Sequence, residues 1–312
     1  MRVLVMGAGG VGGYYGGRLL QRGHVVTLVA RGPHLETLRA RGLEVRAAGL
    51  PAGPRPVRAV ADPGEVGDRP ELVLFTVKGY DTETAARALL PALDATSVVL
   101  TLQNGVDAVE RVGAVMGPAR ILAGSTVIEA AITAPGVVEQ RGTTPRVVLG
   151  EPSGAPTPRV EAVAALFRDA GVETLVTADA RRALWEKFVR IAPGATLSSA
   201  CQKSLGPLRQ VPETAALYRA LVGEAVAVGR AAGVALPADA VDQAVGFIWT
   251  LPAGMTTSMQ RDFEGGRPVE LEELTGSVVR LGARLGVPTP VFAVLYAVLK
   301  PRVPERPGGH VE

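Results

Sequence analysis

The fold is decided by residues 3–12, which read VLVMGAGGVG. An apolar strand runs directly into a G-x-G-x-x-G pattern, a helix-like stretch follows, and a second apolar strand covers residues 25–30. In this order Gly7 permits the tight turn, Gly9 lets backbone N–H groups approach a pyrophosphate, and Gly12 lets the helix pack closely on the strand. A glycine-rich turn that binds nothing is the alternative. The order of elements favours a dinucleotide site formed by Gly7, Ala8, Gly9, Gly10, Val11 and Gly12.

The end of the second strand indicates which dinucleotide binds. Sites that prefer NAD place an Asp or Glu about twenty residues beyond the glycines, where it accepts hydrogen bonds from the ribose. Here the strand ends on Arg31, and the first acid after it is Glu36. A guanidinium can fork onto a 2'-phosphate, so Arg31 favours NADP over NAD. The alternative is an ordinary exposed arginine.

The first half of the chain alternates between strand and helix patterns. Strands are predicted at 2–6, 25–30, 71–76, 97–101, 120–128, 137–139, 146–150 and 172–176, and helices at 10–21, 33–41, 82–90, 107–115 and 158–170. Alternation of this kind is typical of a parallel, doubly wound α/β sheet. We therefore expect a Rossmann-type, NADP-binding domain over residues 1–177.

The second half shows only helical spacing. Helices are predicted at 178–193, 195–203, 212–233, 237–247, 269–285 and 290–299, with prolines at the breaks, Pro193 among them. We expect an all-helical substrate and dimerisation domain over residues 178–312. Its Pro- and Gly-rich end, residues 301–312, is expected to fray.

Composition excludes several functional classes. The chain has 312 residues, 47% of them hydrophobic, and a net charge of +3, with no basic run interleaved with aromatic residues that would indicate nucleic acid binding. No apolar stretch has the character of a membrane span or signal peptide, so we expect a cytoplasmic protein. Cys201 is the only cysteine, which excludes an intramolecular disulfide and a thiolate metal cluster, and we predict no metal site.

Two polar residue types are unusually scarce. Only four of the 33 basic residues are lysines, and Asn104 is the only asparagine. This bias fits a GC-rich genome and equally the loss of thermolabile residues in a thermophile. In either case the surviving Lys78, Lys187 and Asn104 rank as candidates for chemistry that needs an ammonium or an amide.

Six motifs together resemble the ketopantoate reductase family over nearly the whole chain. They are the glycine loop, Val29-Ala30-Arg31, residues 76–82 (TVKGYDT), residues 102–106 (LQNGV), residues 184–188 (LWEKF), and residues 258–262 (SMQRD) followed by Glu270. The resemblance implies an NADPH-dependent reductase that converts 2-dehydropantoate (ketopantoate), a 2-keto acid, to (R)-pantoate in pantothenate (vitamin B5) and coenzyme A biosynthesis. It also implies a Rossmann domain followed by a helical domain, and a homodimer.

Lys187 is the predicted catalytic acid. Reduction of a ketone builds negative charge on its oxygen, which needs a proton or a fixed positive charge nearby. Lys187 lies among apolar residues, where partial desolvation eases release of its proton. The matching lysine is the catalytic acid of the family. A solvated lysine paired with Glu186 is the alternative.

The resemblance assigns roles to four further residues. It implies that Glu270 is a catalytic residue in contact with substrate and cofactor, that Ser258 hydrogen-bonds the keto-acid carboxylate, and that Asn104 contacts the cofactor ribose and the substrate. Lys78 is expected to cover the 2'-phosphate together with Arg31. Each has a structural alternative: an acid in a first helical turn for Glu270, a helix-interior serine for Ser258, a turn residue for Asn104, and a surface lysine for Lys78.

The chain departs from the family pattern in the substrate pocket. Familiar members carry substrate-binding asparagines at three positions that here read Ile191, Ala195 and Leu205. Apolar side chains cannot replace the hydrogen bonds of an amide. Either a neighbouring polar residue takes over (Ser198, Ser199, Lys203 or Ser204), or the substrate is another 2-keto acid or an imine. A non-catalytic, NADPH-binding sensor is the third hypothesis, although a sensor needs neither Lys187 nor Glu270.

Overall fold

The computed structural model of the protein describes residues 1–304. The chain divides into two compact units, Met1–Ala183 and Leu184–Glu312. The sequence predicts a division after residue 177, and the roles ascribed to the two domains stay predictions. The tail expected to fray, residues 301–312, begins within the 3₁₀ turn Lys300–Arg302, and residues 305–312 lie outside the described range.

Unit 1 is built on one mixed sheet. Within the described residues its nine strands are β1 (Arg2–Met6), β2 (Val25–Val29), β3 (Glu44–Arg46), β4 (Arg58–Val60), β5 (Leu72–Phe75), β6 (Val98–Thr101), β7 (Ile121–Ala134), β8 (Val137–Gly150) and β9 (Glu173–Val176). The order is β3-β8-β7-β6-β5-β1-β2-β4, and β9 also pairs with β8. Every pair is parallel except β7 with β8.

Five helices connect these strands: α1 (Gly10–Gln21), α2 (Gly32–Arg41), α3 (Thr82–Leu89), α4 (Ala108–Met116) and α5 (Pro158–Asp169). The central strands are apolar on both sides. Val3 and Val5 pack into one hydrophobic cluster, and Leu4 and Met6 pack into another. Burial of both faces is typical of a parallel sheet covered by helices, and the predicted Rossmann-type α/β fold is confirmed.

The topology places a binding crevice at one edge of the sheet. Strand β1 has β2 on one side and β5 on the other, so the connections that leave these strands diverge. Ligands of open α/β sheets bind at such switch points, outside the carboxyl ends of the strands. The glycine loop follows β1, Lys78 follows β5 and Asn104 follows β6, so all three belong to this edge.

The prediction of three short strands between residues 120 and 150 is wrong. The segment forms a long antiparallel hairpin of β7 and β8, with Gly136 in its turn at a φ of +76°. Gly142 and Pro145 are residue types that often interrupt a strand, but the hairpin accommodates them in an irregularity where pairing passes from Val127–Arg146 to Glu129–Arg141. The sheet is therefore mixed rather than wholly parallel.

The rest of the described chain is helical. It contains α6 (Ala180–Cys201), α7 (Leu205–Gln210), α8 (Pro212–Ala231), α9 (Ala240–Thr250), α10 (Ser258–Glu264), a π-helical turn (Glu272–Gly276), α11 (Ser277–Leu285) and α12 (Pro290–Leu299). The helical prediction for this half is confirmed. None of the helices within residues 1–304 is long and apolar enough to cross a bilayer.

Three details of this unit differ from the prediction. Helix α6 continues through Pro193 instead of ending there, because residues 192–199 are all buried and their packing outweighs the local cost of an interior proline. Helices α7 and α10 are additional elements, and the Thr257 side chain caps α10 by accepting a hydrogen bond from the Gln260 N–H at 3.2 Å. The predicted helix 269–285 contains the π-helical turn, a feature frequent at functional sites.

Candidate functional site

The glycine loop has the geometry that its sequence predicts. Gly7 has a φ of +100°, and a Cβ there would lie 2.9 Å from the Val77 nitrogen. A Cβ on Gly12 would lie 2.2 Å from the Gly7 carbonyl oxygen, so only glycine allows α1 to approach β1 this closely. A Cβ on Gly9 would have nothing within 4 Å. The loop is therefore tight on its protein side and open beside Gly9.

The open side of the loop fits a dinucleotide phosphate. Gly9 is the N-cap of α1, a helix of 12 residues, and its carbonyl accepts from the Gly13 N–H at 2.7 Å. The N–H groups of a first helical turn have no partners within the helix and favour an anion. Ala8 is buried and its N–H is bonded to the Val29 carbonyl at 3.0 Å, which fixes the loop against β2.

Packing also explains the residue type at two further positions of the loop. A Cβ on Gly10 would lie 2.1 Å from the Ala130 carbonyl oxygen, so β7 alone requires a glycine there. Val11 packs against the larger hydrophobic cluster of unit 1. Close packing therefore accounts for both residues, and only their backbone is available to a cofactor.

Thr76 supports the loop, a role that was not predicted from the sequence. Its hydroxyl donates to the Gly7 carbonyl at 2.8 Å and lies 3.2 Å from the Met6 carbonyl. A Cβ on Gly12 would meet the same hydroxyl at 2.4 Å. The signal in the sequence is a threonine directly after the buried strand β5, a position that points toward the neighbouring strand end.

Arg31 and Lys78 lie on neighbouring strand ends of the sheet. Arg31 is the N-cap residue of α2, and its side chain is 88% exposed. Its Nη2 donates to Asp81 Oδ2 at 2.8 Å. Lys78 is half-buried and precedes the 3₁₀ turn Gly79–Asp81. Asp81, a member of the motif of residues 76–82, is thus a charged neighbour of the predicted phosphate site.

Asn104 follows β6 and is half-buried. Gly105 has a φ of +98°, so Asn-Gly does form a turn, as the structural alternative holds. Gln103 beside it is buried, and its Nε2 donates to the Val77 carbonyl at 3.0 Å and to Thr82 Oγ1 at 2.9 Å. This amide ties the end of β6 to the end of β5 and so places Asn104 beside the segment that carries Lys78.

Lys187 and Glu270 interact electrostatically within unit 2. Lys187 lies in α6, partly buried and flanked by the buried Trp185, Phe188 and Val189. Burial lowers the pKa of the Lys187 ammonium to about 8, and the Glu270 carboxylate opposes that shift. Glu270 is 4% exposed and directly precedes Leu271 and the π-helical turn. The Glu270 carboxylate therefore favours the charged form of Lys187.

Two hydroxyl pairs fix α6 to the segments that carry the other predicted residues. Thr196 Oγ1 lies 2.8 Å from Thr275 Oγ1 in the π-helical turn beyond Glu270, and both side chains are buried. Ser198 Oγ lies 2.9 Å from Thr257 Oγ1 at the start of α10. Sequence spacing alone gives no signal for pairs separated by 79 and 59 residues.

Ser258 is the first residue of α10 and is exposed, so it is not a helix-interior serine. Its position next to the capping residue Thr257 leaves it at the same end of α10 that the Ser198 hydroxyl contacts. Asp262 binds Arg267 in an ion pair of 2.9 Å and so has a structural task in the loop after α10.

The apolar positions that depart from the family pattern are partly or fully buried. Ala195 and Leu205 are buried, and Ile191 is half-buried. Of the residues considered as replacements, Ser198 already binds Thr257, and Lys203 is exposed. The hydroxyl of Ser199 is buried and has no hydrogen-bond partner among the described residues.

No metal centre is evident in the part of the chain that the structure describes. Within residues 1–304, no group of three or more His, Cys, Asp or Glu side chains could hold an ion. Cys201 is a free, half-buried thiol at the end of α6, and burial raises its pKa. We assign it no role.

Comparison with known protein families decides the classification. The family model described as "Ketopantoate reductase PanE/ApbA" matches residues 3–154, and the model of its C-terminal domain matches residues 179–303. The chain belongs to the ketopantoate reductase family. The resemblance inferred from the six motifs is thereby confirmed, and with it membership in a family of NAD(P)-dependent oxidoreductases.

Individual members of the ketopantoate reductase family match over almost the whole chain. The 2-dehydropantoate 2-reductase of Halobacterium salinarum is 36% identical over 303 residues, which cover 96% of this chain and 98% of the relative. The crystal structure of a family member from Ralstonia eutropha is 34% identical, with a TM-score of 0.89 and coverage of 97% and 98%. A D-mandelate dehydrogenase, solved with NADH and anilino(oxo)acetate, has the same TM-score at 20% identity and shows the fold alone.

Proposed function

We propose that the protein reduces 2-dehydropantoate to (R)-pantoate with NADPH, a step of pantothenate and coenzyme A biosynthesis. The observation that carries this proposal is the position of Lys187 among buried apolar side chains, in electrostatic interaction with the buried Glu270; burial lowers the pKa of this ammonium to about 8. An ammonium with this pKa is largely protonated at neutral pH and still releases its proton readily. Such tuning suits an acid that acts on a developing alkoxide.

The residues of unit 1 would bind the cofactor. The backbone around Gly9 offers N–H groups to the pyrophosphate, and Arg31 and Lys78 offer positive charge to the adenosine 2'-phosphate. When bound, NADPH supplies the hydride that reduces the C2 carbonyl of the substrate. We assign contacts with the ribose to Asn104 and further contacts with the cofactor to Glu270.

Lys187 would complete the reduction by a proton transfer. As the carbonyl oxygen gains negative charge, the ammonium donates a hydrogen bond to it and then its proton, which leaves a neutral amine and a 2-hydroxy acid. Glu270 favours the protonated form of Lys187 before the reaction. We place Ser258 and Asn104 at the substrate, with the Ser258 hydroxyl donating to its carboxylate.

A second candidate function is the reduction of another 2-keto acid or an imine. It is favoured by the apolar positions Ile191, Ala195 and Leu205, where family members carry amides for the substrate. Sites that lack such hydrogen-bonding groups lose discrimination for a hydroxylated substrate. A sensor function is disfavoured, because a protein that only binds NADPH has no need of the pair formed by Lys187 and Glu270.

Assembly and location also belong to the proposal. Helix α12 leaves Val294 and Val298 exposed, at 62% and 51%, which agrees with a homodimer that covers this helix. A cytoplasmic enzyme acting on a small molecule, without nucleic acid or membrane partners, stays our prediction. The mass of the protein in solution, determined by light scattering, tests the dimer.

A steady-state assay tests the proposed function. Consumption of NADPH is followed with ketopantoate, with 2-keto acids that carry aliphatic or aryl side chains, and with a cyclic imine. We expect the highest kcat/KM with ketopantoate. A higher kcat/KM with another acceptor would favour the second candidate, and no turnover with any acceptor, despite NADPH binding, would favour the sensor.

A further inference from the structure

Asp81 occupies a position where an aspartate normally serves its own helix. It is the N-cap residue of α3, and aspartate is favoured there because its carboxylate accepts hydrogen bonds from the first N–H groups. The Asp81 side chain makes no such bond. Its Oδ2 instead accepts from Arg31 Nη2 at 2.8 Å, across 50 residues of sequence. The Asp81 carboxylate therefore bonds to a residue of another element instead of capping α3.

This contact places the negative charge of Asp81 among several positive charges. Arg31 follows β2, Lys78 precedes the same 3₁₀ turn that ends in Asp81, and α3 begins directly beyond it with its positive dipole end. The single bond from Nη2 leaves the other N–H groups of the guanidinium able to serve a phosphate. The Arg31 side chain is 88% exposed and that of Asp81 is 31% exposed, so both remain accessible to a ligand.

We propose that Asp81 sets how strongly the enzyme prefers NADPH over NADH, by opposing the positive charge of Arg31 at the site of the 2'-phosphate. This inference rests on the proposed role of Arg31 in binding NADPH. A carboxylate bonded to the phosphate-binding guanidinium repels the phosphate. The same carboxylate can accept a hydrogen bond from the 2'-hydroxyl that NADH carries in its place. Asp81 therefore weakens binding of NADPH and strengthens binding of NADH.

The decisive variant is Asp81→Asn, which removes the charge while keeping the size of the side chain and an oxygen that can accept from Arg31. Dissociation constants for NADPH and NADH are measured by titration of the full-length protein at low and at high ionic strength. We expect the ratio of the NADH to the NADPH dissociation constant to rise about fivefold at low salt, the upper range for one exposed charge pair. The rise shrinks at high salt because exposed charges are screened.

Three further variants make the result specific. Glu83→Gln removes a carboxylate only two residues away, one that binds Arg111 at 2.7 Å, and is expected to leave the cofactor preference unchanged. In an Arg31→Ala background, Asp81→Asn is expected to lose most of its effect, since its partner is gone. Asp81→Ser serves as a second substitution and is expected to change the preference in the same direction.

The outcomes separate this inference from the proposed function. If Arg31→Ala abolishes the preference but Asp81→Asn leaves it unchanged, the inference is wrong and the role of Arg31 stands. If Asp81→Asn weakens NADPH binding, Asp81 only positions Arg31, and the inference is again wrong. If Arg31→Ala itself leaves the preference unchanged, the proposed NADPH contact fails, and the inference that rests on it fails as well.

Discussion

The hydroxyl of Thr196 lies 2.8 Å from that of Thr275 in the buried interior of unit 2. Thr196 belongs to α6, nine residues beyond Lys187, and Thr275 belongs to the π-helical turn that follows Glu270. The bond fixes the two segments that carry the proposed acid and its carboxylate neighbour. The electrostatic interaction of Lys187 with Glu270 depends on that separation, since Coulomb energy falls with distance.

Thr196→Val is expected to destabilise the protein and to disturb catalysis. The substitution leaves the Thr275 hydroxyl buried without its partner, which costs about 1–3 kcal/mol. Thermal unfolding measures this loss, and the pH dependence of kcat/KM measures the change at Lys187. Ser97→Ala is a suitable control, because Ser97 is equally buried and donates to the Pro70 carbonyl at 2.7 Å in unit 1. A control with altered pH dependence would argue against a local effect of Thr196.

The rate of reduction is expected to fall as the pH rises through about 8. The pKa of Lys187 lies near this value, and only the protonated ammonium can act as the acid. Because the Glu270 carboxylate raises that pKa, Glu270→Gln is expected to lower it and to move the alkaline limb of kcat/KM to lower pH. A limb that stays in place in Glu270→Gln would contradict the coupling of the two groups.

Replacement by alanine is expected to affect stability at one glycine of the loop and cofactor binding at another. Gly12→Ala brings a Cβ to 2.2 Å from a carbonyl oxygen, so the fold is expected to lose stability. Gly9→Ala meets nothing within 4 Å and is expected to fold normally but to bind NADPH at least tenfold more weakly, because its methyl group occupies space intended for the phosphate.

Gly223→Ala provides the matched control for these loop variants. Gly223 lies inside α8, and a Cβ there also has nothing within 4 Å. The change is expected to stabilise the helix by about 0.5–1 kcal/mol and to leave cofactor binding unchanged. Normal NADPH affinity in Gly9→Ala would remove the loop from the proposed binding site.

The ion pair of Glu151 with Arg159 is expected to make stability fall at acidic pH. Glu151 is 4% exposed, and the two side chains meet through contacts of 2.6 and 2.5 Å. Hydrogen bonds from Arg159 hold the pKa of this carboxyl below its ordinary value of 4.5. A lowered pKa contributes stability that is complete above the ordinary value and is lost as the pH falls through the lowered one.

Replacement of Glu151 tests this contribution. Glu151→Gln is expected to cost about 2 kcal/mol at pH 7 and to flatten the loss of stability below pH 5. Glu173→Gln removes the carboxylate of an exposed pair with Arg146 and is expected to cost less than about 1 kcal/mol. Equal losses in the two variants, measured by urea unfolding, would contradict the role of burial.

Local sequence pattern was sufficient to predict those elements whose ends are marked by residues within the segment itself. The strand of residues 2–6, the glycine turn and α1 were predicted to the residue, because the continuous apolar run of the strand and the glycine that adopts a positive φ at position 7 lie within the segment itself. The long hairpin was missed because Gly142 and Pro145 are breakers locally, whereas pairing with β7 continues past them. Pro193 was misread for the same reason, since burial in the tertiary structure maintains α6 around it.

The candidate site was predictable only where a residue type is rare or belongs to a motif. Lys187 and Asn104 stand out in a chain with four lysines and one asparagine, and the motifs identified Glu270 and Ser258. Thr196 and Thr275 carry no such signal, and Asp81 belongs to the motif of residues 76–82, but the motif does not reveal its contact with Arg31. Their importance depends on contacts between residues far apart in sequence, which only the fold brings together.

The central claim is that Lys187 supplies the proton for reduction, and a pair of measurements on Lys187→Ala tests it most directly. Turnover with ketopantoate is compared with NADPH binding to the same preparation, and Arg219→Ala serves as a control that removes an exposed cation of unit 2 paired with Asp242. We predict that kcat falls by about 10²–10⁴ while NADPH binds with unchanged affinity, and that the control keeps both. Near-normal turnover in Lys187→Ala would contradict the proposed mechanism.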